Sequence, residues 1–335
     1  MATRIGRYTL NLDNQPRIIG FASVAGKKEG DGPLSEWFDH TAIDDKMGQD
    51  SYEKAESQFI KTAMDTAIKK AGIKAEQLDT VFGGDLLNQC IGTAYAVRDY
   101  AVPFVGLYGA CSTMAEGLCL ASLFADTKLA QRVMAVTSSH FCSSERQFRY
   151  PLEYGGVRPP TSQWTVTGSG ASVVSLQGEG VKVKRVLIGR ITDLGICDIN
   201  NMGAAMAPAA ADTIMKFFED TGEKPQNYDA IFTGDLGFVG SELLIQLLKK
   251  EGIDISKNHK DCGCMIFDRE RQDVHAGGSG CGCSATVLNG YILNSMMTGK
   301  LKRVLFAATG ALMSTTSFQQ GESIPGISHL VELSV

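Results

Sequence analysis

The feature that most constrains this 335-residue chain is that it contains its own half-copy. The segment MDTAIKKAGIKAEQLDTVFGGDLL, Met64 to Leu87, returns as ADTIMKFFEDTGEKPQNYDAIFTGDLG, Ala211 to Gly237. Each copy reads as a helix, a polar turn, a strand and then Gly-Asp-Leu. Asp65 and Asp212 stand 147 residues apart and Asp85 and Asp235 stand 150 apart; the slip falls in the turn, where insertions are tolerated. A second pair, KLAQRVMAVTSSHFCS (Lys128 to Ser143) and GKLKRVLFAATGALMS (Gly299 to Ser314), repeats a helix end, a basic residue and a buried strand. Repetition on this scale predicts two equivalent units, residues 1–185 and 186–335, meeting near Val181 to Ile188. Alternation of helix and apolar strand within each unit predicts α/β layers with mostly parallel strands.

Local signals place the chemistry. Ser51 can cap a helix running to Lys70, whose stripe of Ala55, Phe59, Ala63 and Ala67 has helical spacing and which Gly72 stops. VPFVGLYG predicts a strand ending at Gly109, and the sequence from Ser112 onward, STMAEGLCLASLFAD, predicts a helix apolar on most faces and therefore buried. Cys111 thus sits at a strand-to-helix junction, at the positive end of a buried helix. A helix N-terminus lowers a thiol pKa from its free value of about 8.5, which suits a nucleophile. The same unpaired N–H groups attract a carboxylate, so a binding site fits the junction equally well.

Other classes are excluded by what the chain lacks. The net charge is −5 with no basic stripe or arginine-rich arm, which argues against nucleic acid. MATRIGRYTL has no apolar signal core and no run of 18 apolar residues occurs, so neither classical export nor a membrane span is expected. Nine cysteines, an odd count without an export signal, are expected to be reduced thiols. The pairs in DCGCM and GCGCS have a one-residue spacing unusual for zinc and suit a glycine-rich turn. Gly168 and Gly170 precede a strand with no following Gly-Lys-Ser/Thr, which argues against nucleotide binding.

The duplicated α/β unit with GACST at its elbow resembles the thiolase and ketoacyl synthase superfamily, across essentially the whole chain. That resemblance implies a five-layered α-β-α-β-α sandwich built from two halves, a homodimer, and a cysteine that takes an acyl group. Acyl chemistry also needs positioned acid and base groups. The thiolase motif Gly-His-Pro-x-Gly-x-Ser-Gly aligns with GGSGCGCS, Gly277 to Ser284, and its histidine falls on Gly278. Where the superfamily carries a catalytic histidine or asparagine, IFTGDLG offers Gly234 and Asp235; FAATGALMS has no second cysteine. Longer stretches, GDLLNQ, GACSTMAEG, SERQFRYPLEYGG, TVTGSGAS, NMGAAMAPAAADT and AGGSGCGCSA, resemble one branch, the stage V sporulation protein AD family. Resemblance to that family implies non-catalytic binding of dipicolinic acid (pyridine-2,6-dicarboxylic acid) as its calcium chelate, for uptake into the developing spore. It further implies membrane-protein partners of the same uptake system, a peripheral place at the spore inner membrane, and no cofactor beyond calcium arriving with the ligand.

The resemblance puts Asp85 and Asn88, just past a strand end, beside Cys111 and Ser112 in the old active-site pocket. A dicarboxylate beside an aspartate requires a cation or a protonated carboxyl, and Asp85 with the Asn88 amide oxygen could supply calcium ligands. The alternative is that Asp85 caps a helix and Asn88 closes a turn. His140 and the arginines Arg146, Arg149 and Arg158 are the cationic candidates, with Arg149 carried forward as a ligand contact. Against them stand pairing with Glu145 or Glu153 and a packing role for His140. The expected ligand set is therefore Asp85, Asn88, Cys111, Ser112, His140 and Arg149, with no catalytic residue and no resident metal. The rival is an active acyltransferase using Cys111, with His140, His259 or His275 as its base. A third reading keeps the fold for docking alone.

Overall fold

The structure is a computed structural model describing residues 2–148 and 157–335. In the first half the main elements are Arg17–Ala25 (β1), Tyr52–Lys70 (α1), Thr80–Gly84 (β2), Ile91–Val97 (α2), Phe104–Gly106 (β3), Thr113–Asp126 (α3), Arg132–Ser139 (β4), Phe141–Phe148 (α4) and Gly168–Ser175 (β5). The second half repeats the plan as Val181–Leu187 (β6), Met202–Thr221 (α5), Ala230–Thr233 (β7), Gly237–Lys250 (α6), His259–Asp261 (β8), Cys281–Val287 (α7), Arg303–Ala311 (β9) and Gly326–Ser334 (β10). Residues 185 and 186 both lie inside β6.

Each half folds a five-stranded sheet of the same order, β3-β2-β4-β5-β1 and β8-β7-β9-β10-β6. Four strands of each run one way and the fifth, β5 or β10, runs against its two neighbours. The sheets join at one corner, where β1 and β6 pair antiparallel through Ile18–Val181 and Arg17–Lys182. Helices α1 and α2 cover the outer face of the first sheet, α5 and α6 that of the second, and α3 and α7 lie between. This is the five-layered α/β sandwich of the thiolase-like fold, with its largest core in the middle layer.

The helix signals act as sequence chemistry requires. Ser51 Oγ accepts from Lys54 N at 3.3 Å to open α1, whose stripe Ala55, Phe59, Ala63 and Ala67 is fully buried. Gly72, at φ +66°, ends it in the left-handed conformation. In the copy, Asn201 caps α5 and Gly222, also at φ +66°, closes it. Leu118 is wholly buried in α3 between the two sheets, so Leu118→Ala costs about 2–5 kcal/mol. Gly170 is glycine because a Cβ there would collide with the Ala285 carbonyl, so this glycine serves the close approach of α7 to β5.

One strand is shorter than its sequence. VPFVGLYG forms only Phe104–Gly106 as an edge strand, and although Leu107 N still donates to Gly83 O at 2.8 Å, residues 107–109 turn inward toward α3. The ends of β2, β4, β7 and β9 therefore meet the first turns of α3 and α7 at the middle of the molecule.

Candidate functional site

The turn before α3 is a strained elbow. Ala110 has φ +49°, a conformation costly for a residue with a side chain, and it turns Cys111 out of the helix start. Ser112 locks the turn by donating its hydroxyl to the Gly109 carbonyl at 2.7 Å, and Thr113 Oγ1 donates to Ala110 O at 2.7 Å. Gly310 on β9 makes room, since a Cβ there would collide with the Gly109 carbonyl.

Cys111 opens onto a recess of about 530 Å³, part of it open to solvent. Its apolar wall comes from Leu86, Tyr108, Phe148, Met202, Met206 and Met313; its polar wall comes from Cys111, Asp235, Ser144, Glu145, Thr165 and Ser279. Asp235 stands just beyond β7 and is fully buried. Its carboxylate accepts from Gly280 N at 2.8 Å and from Thr309 Oγ1 at 3.2 Å, and it lies beside the Cys111 thiol. Burial pushes the Asp235 pKa up to about 7. Burial, followed by the field of Asp235, pushes the Cys111 thiol well above the ordinary cysteine range. The junction's helix dipole is thus outweighed, and the sulfur is held as a thiol beside a carboxylate. Such a pair can hydrogen-bond a polar ligand; it lacks the electropositive surroundings that make a thiolate.

The expected ligand set is only partly assembled. Asp85 does not line the recess: it is fully buried and accepts from Thr93 N and Thr93 Oγ1, both at 2.7 Å, and from Leu87 N at 2.9 Å. It ties the turn before α2 to that helix. Asn88 is exposed, and its backbone N donates to Gln147 Oε1 at 3.1 Å. Ser112 is consumed by the elbow. His140 is buried with Nε2 2.6 Å from the Asp45 carbonyl, beside the rings of Tyr52 and Phe59, and burial lowers its pKa. Arg146 pairs with Glu53 at 3.1 Å and Arg158 with Asp273 at 2.9 Å, and Arg149 lies outside the described residues. Of the expected set, the structure brings Cys111 alone to the recess among the described residues.

The carboxylate beside the cysteine is therefore Asp235, the duplicate of the aspartate that sequence reasoning singled out. The repeat itself was the signal that could have found it, together with Met202 and Met206 spaced one turn apart at the start of α5. No histidine lines the recess among the described residues. His259 Nε2 is 2.9 Å from Thr233 Oγ1 and burial lowers its pKa to about 4; His275 pairs with Asp273. The paired cysteines point apart: Cys281 donates to Ser138 O at 2.9 Å and Cys283 to Gly234 O at 3.6 Å.

The family model for stage V sporulation protein AD matches residues 6–334. Stage V sporulation protein AD of Bacillus subtilis strain 168 is 44% identical over 324 residues, covering 97% of this chain and 96% of that protein. Among solved structures, 3-oxoacyl-[acyl-carrier-protein] synthase III of Aquifex aeolicus VF5 aligns with TM-score 0.59 at 15% identity, covering 96% of this chain and 100% of that one. A variant of Xanthomonas campestris OleA with cerulenin aligns with TM-score 0.61 at 12% identity, covering 96% and 97%. At such identities the two structures speak for the fold alone, and both share it.

Proposed function

The chain belongs to the stage V sporulation protein AD family, with a role in stage V of sporulation, and from that premise we propose that it binds dipicolinic acid as the calcium chelate, without covalent chemistry, for uptake into the spore. The observation that carries the reading is the placement of Cys111 beside the buried Asp235 in a recess without a histidine among its described lining residues. A carboxylate whose pKa, about 7, lies well below that of the raised thiol cannot take its proton and leave a thiolate, so the nucleophile position supports binding rather than acyl transfer. The methionine, phenylalanine and tyrosine wall supports a flat ring, with thioether sulfurs favourable against aromatic edges. The acidic wall supports a ligand that arrives with its charge cancelled. Calcium held by the ligand's own carboxylates does this, and so does a proton on Asp235.

The same proposal places the protein at the spore inner membrane through membrane-protein partners, as a homodimer. Support for the dimer comes from a difference between the two copies. The free edge at β8 is flanked by exposed Lys257 and Lys260, which guard a strand edge against pairing. At the equivalent β3 edge stand exposed Val105 and Tyr108, with Ile91 and Tyr95 on the neighbouring α2. An unguarded apolar edge fits a second copy adding its own β3.

Isothermal titration of the purified chain with dipicolinic acid, with and without calcium, tests the binding reading against pyridine-2-carboxylic acid and acetyl-CoA. Saturable binding of the dicarboxylate is expected. No such binding, with an acetyl group left on Cys111 by acetyl-CoA, would establish the acyltransferase instead.

A further inference from the structure

Among the described residues lining the recess, one buried side-chain oxygen has no partner. Ser144 lies in α4 with 2% of its surface exposed, lines the recess, and its hydroxyl makes no hydrogen bond. Its neighbour Ser143 shows what a serine in this helix does when it is structural: Ser143 Oγ donates to Glu56 Oε2 at 2.8 Å and lies 3.2 Å from the His140 carbonyl. Ser144 N is spent on the helix, donating to His140 O at 3.0 Å, which leaves the side chain alone uncommitted. A buried hydroxyl without a partner is destabilising, and alanine would fill the same place at no such cost. The hydroxyl is explained if a ligand completes it.

We propose that Ser144 is a specificity-determining ligand contact whose hydroxyl donates to a carboxylate of the bound molecule. The inference rests on the binding reading above and adds which group tells a dicarboxylate from a monocarboxylate. The recess presents, as two of its polar stations, the thiol of Cys111 with Asp235 and the hydroxyl of Ser144, in a lining that also holds Glu145, Thr165, Ser279 and the apolar residues Met202, Met206, Met313 and Phe148. A molecule with a flat apolar middle and a carboxylate at each end satisfies both. One carboxylate, with its calcium or a proton, meets Cys111 and Asp235. The other takes the Ser144 hydroxyl, a donor that is neutral and so adds no charge to an acidic wall.

The test is calorimetric titration of the full chain with pyridine-2,6-dicarboxylate plus calcium and with pyridine-2-carboxylate plus calcium, on wild type, Ser144→Ala and Ser144→Thr. Loss of a hydrogen bond to a charged group weakens the dicarboxylate about 10- to 100-fold in Ser144→Ala. The monocarboxylate keeps its wild-type affinity, weak as that is, and Ser144→Thr restores most of the dicarboxylate binding because the hydroxyl is back. The melting temperature of ligand-free Ser144→Ala equals or exceeds that of wild type, whereas a structural serine would lower it. Equal loss for both ligands, unchanged dicarboxylate affinity, or a lowered melting temperature would each overturn the assignment while leaving the binding reading intact. Failure of wild type to bind either acid would take down the binding reading itself, and this assignment with it.

Discussion

Replacing Asp85 separates a structural carboxylate from a ligand contact. Asp85 is wholly buried and satisfies three donors: two backbone N–H groups, of Leu87 and Thr93, and the Thr93 hydroxyl. Asp85→Ala strands all three, at about 1–1.5 kcal/mol each. Part returns because Asp85 also raises the pKa of buried Glu56, and that repulsion disappears. The net loss is about 3 kcal/mol. With an unfolding entropy of about 2.1 cal/mol/K per residue, 335 residues give about 0.7 kcal/mol per degree, so the melting temperature falls by about 4 °C. Differential scanning calorimetry reads the shift, and titration at a temperature where the variant is folded reads an unchanged ligand affinity. A variant that melts like wild type but no longer binds ligand would refute the argument, because Asp85 would then be spending its carboxylate on the ligand.

Other perturbations follow from the same geometry. Asp235→Asn removes the anion beside Cys111, so the thiol pKa drops and iodoacetamide labels Cys111 faster at pH 7.5, about tenfold for each pKa unit released; an unchanged rate would mean that Asp235 does not hold the sulfur. Glu29, Asp235 and Asp261 have pKa values raised by burial to about 8, 7 and 6. The folded chain therefore binds more protons than the unfolded one, and their stabilising contribution, full below the ordinary carboxylate range, is lost as pH rises from about 5 through 8. Urea midpoints should fall over that window, and fall less in Glu29→Gln. His259 and His329, both lowered to about 4, oppose this in acid, removing stability as pH drops below about 6.5. Val105→Lys with Tyr95→Lys should yield monomers by sedimentation velocity; a dimer that survives both would place its interface elsewhere.

What could be read from residues divides along a physical line. The duplication, the Ser51 cap, the α1 stripe and the Cys111 elbow rest on local periodicity and backbone chemistry, and all are found where expected. Which of two equivalent aspartates faces the recess is a tertiary matter: Asp85 and Asp235 follow equivalent strands, β2 and β7, and differ because Thr93 captures one while Gly280 and Thr309, far along the chain, hold the other. His140 follows an apolar strand in either role, and only the Asp45 carbonyl decides for packing. The arginines illustrate the same limit, since Glu53 and Asp273, which claim Arg146 and Arg158, are distant in sequence. Ser144 carries no sequence signal at all; a serine beside a serine on a polar helix says nothing until one of the two is seen to be idle.

The strand order also bears on how the chain comes to be folded. β1 lies between β5 and β6, so apart from the short pairing of Val24 and Ala25 with His40 and Thr41, residues 17–25 wait for residues 168–175 and 181–182. In the second half β6 likewise waits for β10, residues 326–334. Each sheet is closed by its last strand rather than its first, and contacts of such long sequence separation form slowly. During synthesis the early α1–β2–α2–β3 segment emerges with its sheet incomplete, its apolar β3 edge already exposed. An apolar edge exposed for so much of synthesis lengthens the interval in which an incomplete sheet is open to wrong strand pairing.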